Sequence, residues 1–185
     1  MSNFDPTNTT GRPTPRMTII IPLMKGTMVE QQEGYRKLLG EAKIFVSADK
    51  ITTVITNGNR KVVTKVTKGD TPDANTGIYL ALVKYLTNWR TSRLETYIKR
   101  RVPKLERTEF DNYKKTVLET LPKTLKKEEF NSIVTKLNNE EILARQRIEK
   151  AVALELVMKL TGYNEDKIKS VIKRRMIEAK FNSRK

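Results

Sequence analysis

Cysteine and histidine are both absent from this chain of 185 residues. Their absence excludes Cys/His zinc sites, a cysteine nucleophile and every Ser-His-Asp or Cys-His arrangement. It also removes a disulfide framework and fits a reducing compartment, so the expected location is cytoplasmic. Long apolar runs are missing as well. The longest, Ile19-Ile20-Ile21-Pro22-Leu23-Met24, is far too short to span a bilayer, and no membrane partner is expected. The chain opens with no signal-peptide pattern. Lys25-Gly26-Thr27 lacks the upstream glycine of a P-loop. No acid pair stands in a recognisable motif, and no cofactor or metal is expected. A non-enzymatic protein is therefore the expected class, with a metal-dependent nuclease built from scattered Asp and Glu as the enzymatic alternative.

Positive charge is what the chain has in excess. Lys and Arg number 37 against 21 Asp and Glu, a net charge of +16. Such an imbalance speaks about partners rather than fold, and is the electrostatic footprint of a nucleic-acid binder. The charge is uneven. Residues 84–107 hold 8 basic and 2 acidic side chains, and residues 167–185 hold 8 and 1. These two short segments supply most of the excess. The alternative is a lysine-rich surface on a protein whose partner is a host or viral protein.

The hydrophobic period divides the chain. Residues 1–16 carry three of the seven prolines and almost no apolar side chains, so a flexible tail is expected. Met17 to Leu23 reads as a short edge strand stopped by Pro22. Residues 27–41 read as a short polar helix or loop, with Met28, Tyr35, Leu38 and Leu39 on one face. Alternation with period two then marks Ile44 to Ala48, Ile51 to Ile55, and Arg60 to Thr67. Asn57-Gly58 between the last two signals a type I′ hairpin. Three strands are expected, four if residues 18–23 join.

From Asp73 the period is helical. Asp73 is placed to N-cap a helix whose stripe of Ile78, Leu82, Tyr85, Leu86 and Trp89 continues to about Arg101. Thr108 with Asp111 resembles a capping box opening the next helix, which Pro122 ends. Phe130 to Leu137 mark another helix, and Asn138 or Asn139 caps a longer one. Gly162 ends that helix, and Asn164 caps the last. Strands first and helices after make an α+β fold, a small antiparallel β-meander followed by a helical C-terminal half. The expected division is a tail (1–16), an α+β module (17–102) and a helical module (103–185), with one continuous core as the alternative.

Residues 57–86, NGNRKVVTKVTKGDTPDANTGIYLALVKYL, resemble a short module of phage and prophage accessory proteins. The matching residues are Asn57-Gly58, Arg60-Lys61, Asp70, Pro72, Asp73, Gly77, Ala81, Leu82 and Lys84. The resemblance implies a phage origin and a hairpin-plus-helix unit, and carries over no catalytic residue. This chain lacks the cysteine often found at the end of that strand. Asp70 and Asp73 sit where turn and N-cap hydrogen bonds favour aspartate, ahead of metal binding or catalysis.

Two segments are candidates for nucleic-acid contact. On one helix, Arg90, Arg93, Tyr97, Arg100 and Arg101 share a broad face, with Lys84 and Trp89 alongside. Arginine interleaved with aromatics suits phosphate contact and base stacking. Trp89 and Tyr97 as core residues is the competing reading, favoured for Trp89. The second segment, residues 157–175, VMKLTGYNEDKIKSVIKRR, resembles a helix-turn-helix. Gly162 matches the turn glycine, Asn164 the N-cap, and Ile168, Val171 and Ile172 the buried residues of the second helix. The resemblance implies that Lys167 and Lys169 face the groove, with Lys173, Arg174 and Arg175 available to phosphates. Met158 and the Glu165-Asp166 pair depart from the family pattern, and an ordinary αα-hairpin with a glycine cap is the competing reading. The expected partner is nucleic acid, DNA ahead of RNA.

Overall fold

A computed structural model of the protein describes residues 26–67, 69–101, 104–122 and 124–182. The expected tail at 1–16 and strand at 17–23 lie outside the described residues. Helix α1 (Met28–Glu41) precedes strands β1 (Lys43–Val46), β2 (Thr52–Thr56) and β3 (Lys61–Lys65). Helices α2 (Ala74–Thr87), α3 (Thr91–Arg101), α4 (Lys104–Thr120), α5 (Lys127–Thr161) and α6 (Glu165–Asn182) follow. The fold is α+β, a three-stranded antiparallel meander in the order β1-β2-β3 followed by helices.

Local chemistry sets most boundaries. Thr27 and Glu30 form a capping box at α1: Thr27 Oγ1 accepts from the Glu30 amide at 3.3 Å, and Glu30 accepts from the Thr27 amide at 2.7 Å. Met28, expected to share an apolar face with Tyr35 and Leu39, is 66% exposed, because it lies in the first turn ahead of the packed face. The β2–β3 hairpin turns one residue later than expected. The Asn57 amide donates to the Arg60 carbonyl at 3.2 Å, so Gly58-Asn59 are the central residues. Only Gly58 has positive φ, at +92°, whereas type I′ requires it at both central residues. The Asn57 side chain accepts from the Arg60 amide at 3.0 Å and fixes the turn there.

Asp73 caps α2, accepting from Asn75 and Thr76 amides at 3.1 and 3.3 Å. The helix does not continue to Arg101. Asn88 adopts the left-handed conformation (φ 61°) and ends α2, and α3 starts three residues later. Thr108 lies inside α4 rather than at its N-cap, since residues 104–109 are already helical. Asn138 and Asn139 also lie inside a helix. α5 runs unbroken for 35 residues, about 50 Å, and Lys114 of α4 donates to the Asn138 side chain at 2.9 Å.

One face of the sheet packs on the helices. Ile44, Ile55 and Val62 stand in register across the three strands and face Ile78, Leu82 and Tyr85 of α2 within a single cluster. Leu156 and Val157 of α5 and Ile168 of α6 join the same cluster, so both halves of the chain contribute to one core. α2 approaches the sheet most closely at Gly77, where a Cβ would lie 2.7 Å from Thr53 Oγ1.

Candidate nucleic-acid interface

The first basic segment is split by the Asn88 break, and the split changes what each residue does. Trp89 is 4% and Tyr97 7% exposed, their rings 5.4 Å apart. Both rings belong to the core, as favoured for Trp89, so Tyr97 is buried where contact with bases was expected. They form a floor instead. The Arg93 guanidinium lies 4.9 Å from the Trp89 ring centre, and that of Arg101 5.6 Å from the Tyr97 ring. Each cation–π contact is worth about 0.5–1 kcal/mol at an exposed site. Arg101 also pairs with Glu155 of α5 at 3.5 Å. Arg90 and Arg100 are exposed and make no ion pair among the described residues. Lys84 is half-buried, and its ammonium donates to Thr91 Oγ1 at 2.9 Å, at the start of α3. Burial pushes Lys84 below the ordinary lysine value, with Glu95 opposing the shift. Lys99, also exposed on α3, adds a cation that its spacing from the arginines did not single out.

The second segment forms a helix, a three-residue turn and a helix. Gly162 is left-handed (φ 66°) and ends α5. The Asn164 side chain accepts from the Lys167 amide at 2.9 Å and starts α6. Ile168 is fully buried and Ile172 nearly so. The helix before the turn is far longer than the short one of the helix-turn-helix pattern. α1 also braces the turn. Arg36 Nε donates to the Thr161 carbonyl at 2.6 Å, and its guanidinium lies 5.0 Å from the Tyr163 ring centre. A cation at this helix C-terminus suits the helix dipole.

The α6 cations divide into two groups. Lys169 pairs with Glu165 at 2.7 Å, while Arg174 and Arg175 share Glu178 at 2.8 and 2.7 Å. The Glu165 hydrogen bond raises Lys169, and the Arg174 hydrogen bond lowers Glu178, each relative to its ordinary value. Lys167 and Lys173 are exposed and unpaired among the described residues. Exposed ion pairs of this kind are screened by solvent and hold their partners weakly.

Asp70 and Asp73 are held by the long helix. Arg145 pairs with Asp70, Gln146 donates to the Thr71 carbonyl at 2.9 Å, and Lys150 reaches Asp73 at 3.2 Å. Burial pushes Asp73 up, but the Thr76 and Asn75 hydrogen bonds and Lys150 together hold its carboxyl below the ordinary value. Nearby Glu149 is raised by burial. A cavity lined by Thr64, Asp70, Thr76 and Glu149 lies between β3, α2 and α5. Among the described residues, no group of three or more Asp and Glu is placed to hold a metal ion, and no helix is long and apolar enough to cross a membrane. No protein-family model, curated protein or solved structure matches the chain.

Proposed function

We propose that the protein is a non-enzymatic nucleic-acid-binding protein of the cytoplasm, phage-encoded as residues 57–86 imply, with DNA ahead of RNA as its ligand. The observation that carries the reading is the set of cations on and beside α3. Arg93 and Arg101 rest on buried rings, and Arg90, Lys99 and Arg100 are exposed on the same segment. An arginine already oriented by a ring loses less side-chain freedom on gripping a phosphate. Lys167 and Lys173 on α6, with Lys169 and Arg174 beside them, supply a second set of phosphate contacts. Neither set needs base-edge recognition, so the affinity is electrostatic and largely independent of sequence.

Replacing Arg90, Arg93, Arg100 and Arg101 together by alanine tests this. The expected outcome is weaker binding to every duplex tried, by similar factors, with unchanged helix content. Unaltered affinity would remove α3 from the mechanism. A second reading, binding to a host or viral protein, is favoured by one feature. Tyr113 of α4 and Phe130 and Leu143 of α5 are 53%, 42% and 40% exposed. Tyr113 stands beside Phe110, ring centres 6.2 Å apart, and an apolar pair of this kind suits a protein contact.

A further inference from the structure

The sheet has a second face, and nothing in the period-two reading gave it a role. Phe45, Val54 and Val63 are Cα partners across β1, β2 and β3 and form one apolar stripe. They point away from Ile44, Ile55 and Val62, since neighbouring residues of a strand face opposite sides. Val63 is 41% exposed, and Phe45 and Val54 are half-buried. None of the three belongs to the core cluster or packs against it. Lys43 and Lys61, both aligned with Thr56, flank the stripe on one side. Lys65, aligned with Thr52, flanks it on the other. All three lysines are exposed, and no carboxylate occupies this face of the strands. The nearest acid in the β1–β2 turn, Asp49, is occupied by the Ser47 hydroxyl and the Ile51 amide.

We infer that this outer face is a docking platform for single-stranded DNA, with bases lying on Phe45 and the backbone held by Lys43, Lys61 and Lys65. An aromatic and two aliphatic side chains ringed by lysines match a ligand with flat apolar faces and a regular negative charge. Along its strand each lysine stands two residues, about 7 Å, from the apolar stripe, and strands lie about 4.8 Å apart, which brings cation and ring within reach of one nucleotide. The branched side chains of Val54 and Val63 suit the C5 methyl of thymine, which places DNA ahead of RNA. This deepens the nucleic-acid reading and rests on it. It differs in using a flat sheet face for single strands, whereas α3 and α6 hold phosphates of a duplex.

The test uses the full chain with labelled oligothymidylate, oligouridylate and a duplex, read by fluorescence anisotropy. Phe45→Ala is expected to weaken oligothymidylate binding about 5- to 150-fold and leave duplex binding unchanged, while Phe45→Tyr restores the affinity. Since Phe45→Ala risks the sheet itself, Lys61→Glu with Lys65→Glu provides a variant confined to exposed side chains. It should lower single-strand affinity and flatten its salt dependence, with the duplex unaffected. Unchanged oligothymidylate binding in both variants would overturn the platform and leave the duplex reading standing. Tighter binding to oligouridylate than to oligothymidylate would overturn the assignment to DNA. If the unaltered protein binds none of the three probes, the nucleic-acid reading falls as well, and an equal loss of duplex binding in the lysine variant would mean that this face is one more general phosphate surface.

Discussion

Gly77 and Asp73 both help to position α2, and they differ in how far the sequence revealed them. Asp73 after Pro72 announces a cap by local chemistry alone. Gly77 does not, because its reason lies on another element. In an isolated helix, Gly→Ala stabilises by about 0.5–1 kcal/mol. Here the added Cβ would sit 2.7 Å from Thr53 Oγ1, and Thr53 is 1% exposed. Gly77→Ala is therefore expected to destabilise by about 1–3 kcal/mol, measured by urea denaturation. A stabilised variant would show that α2 does not pack this closely. Asp73→Ala is expected to cost about 1 kcal/mol through loss of the cap. The folded-state carboxyl lies below its ordinary value. Its contribution is thus present above the ordinary carboxylate range and lost as pH falls through the lower folded value. The gap between wild type and Asp73→Ala should be full at neutral pH and shrink below about pH 4. A gap that widens on acidification would contradict the assignment.

At the scale of elements, the three strands, the start of α2 and the Gly162–Asn164 turn were legible because short-range signals decide them. The breaks and continuities of the long helices were not. Trp89 continues the apolar stripe of α2 in helical phase, so periodicity alone carries the helix through Asn88. The chain breaks there because Asn88 takes the left-handed conformation and Trp89 is turned into the core beside Tyr97. The opposite error occurred in α5. Asn138 and Asn139 have cap chemistry, but they sit inside a continuous helix, where the Asn138 side chain accepts from Lys114 of α4 instead of capping. Asn88 tests this account. Asn88→Ala forces a non-glycine, non-amide residue into the left-handed region and should cost about 1–2 kcal/mol. Asn88→Gly should be close to neutral in thermal unfolding. Equal effects of the two substitutions would mean that the break is set by Trp89 rather than by the backbone of Asn88.

At the scale of the whole molecule, the charge was legible and its presentation was not. Counting residues located both basic segments. It could not show that Tyr97 is buried beneath Arg101, that Arg174 and Arg175 share Glu178, or that a lysine-flanked stripe crosses the outer sheet face. These follow from the packing of one core, which turns Trp89 and Tyr97 inward and leaves the cations outside. The central claim is that this outward charge holds phosphates. The measurement that tests it most directly is the affinity for a labelled duplex across a salt series. The account predicts a linear fall of log affinity with log salt, steeper than about −3, since each neutralised phosphate adds roughly −0.9 to the slope. A flat titration, or no binding at about 100 mM salt, would contradict it.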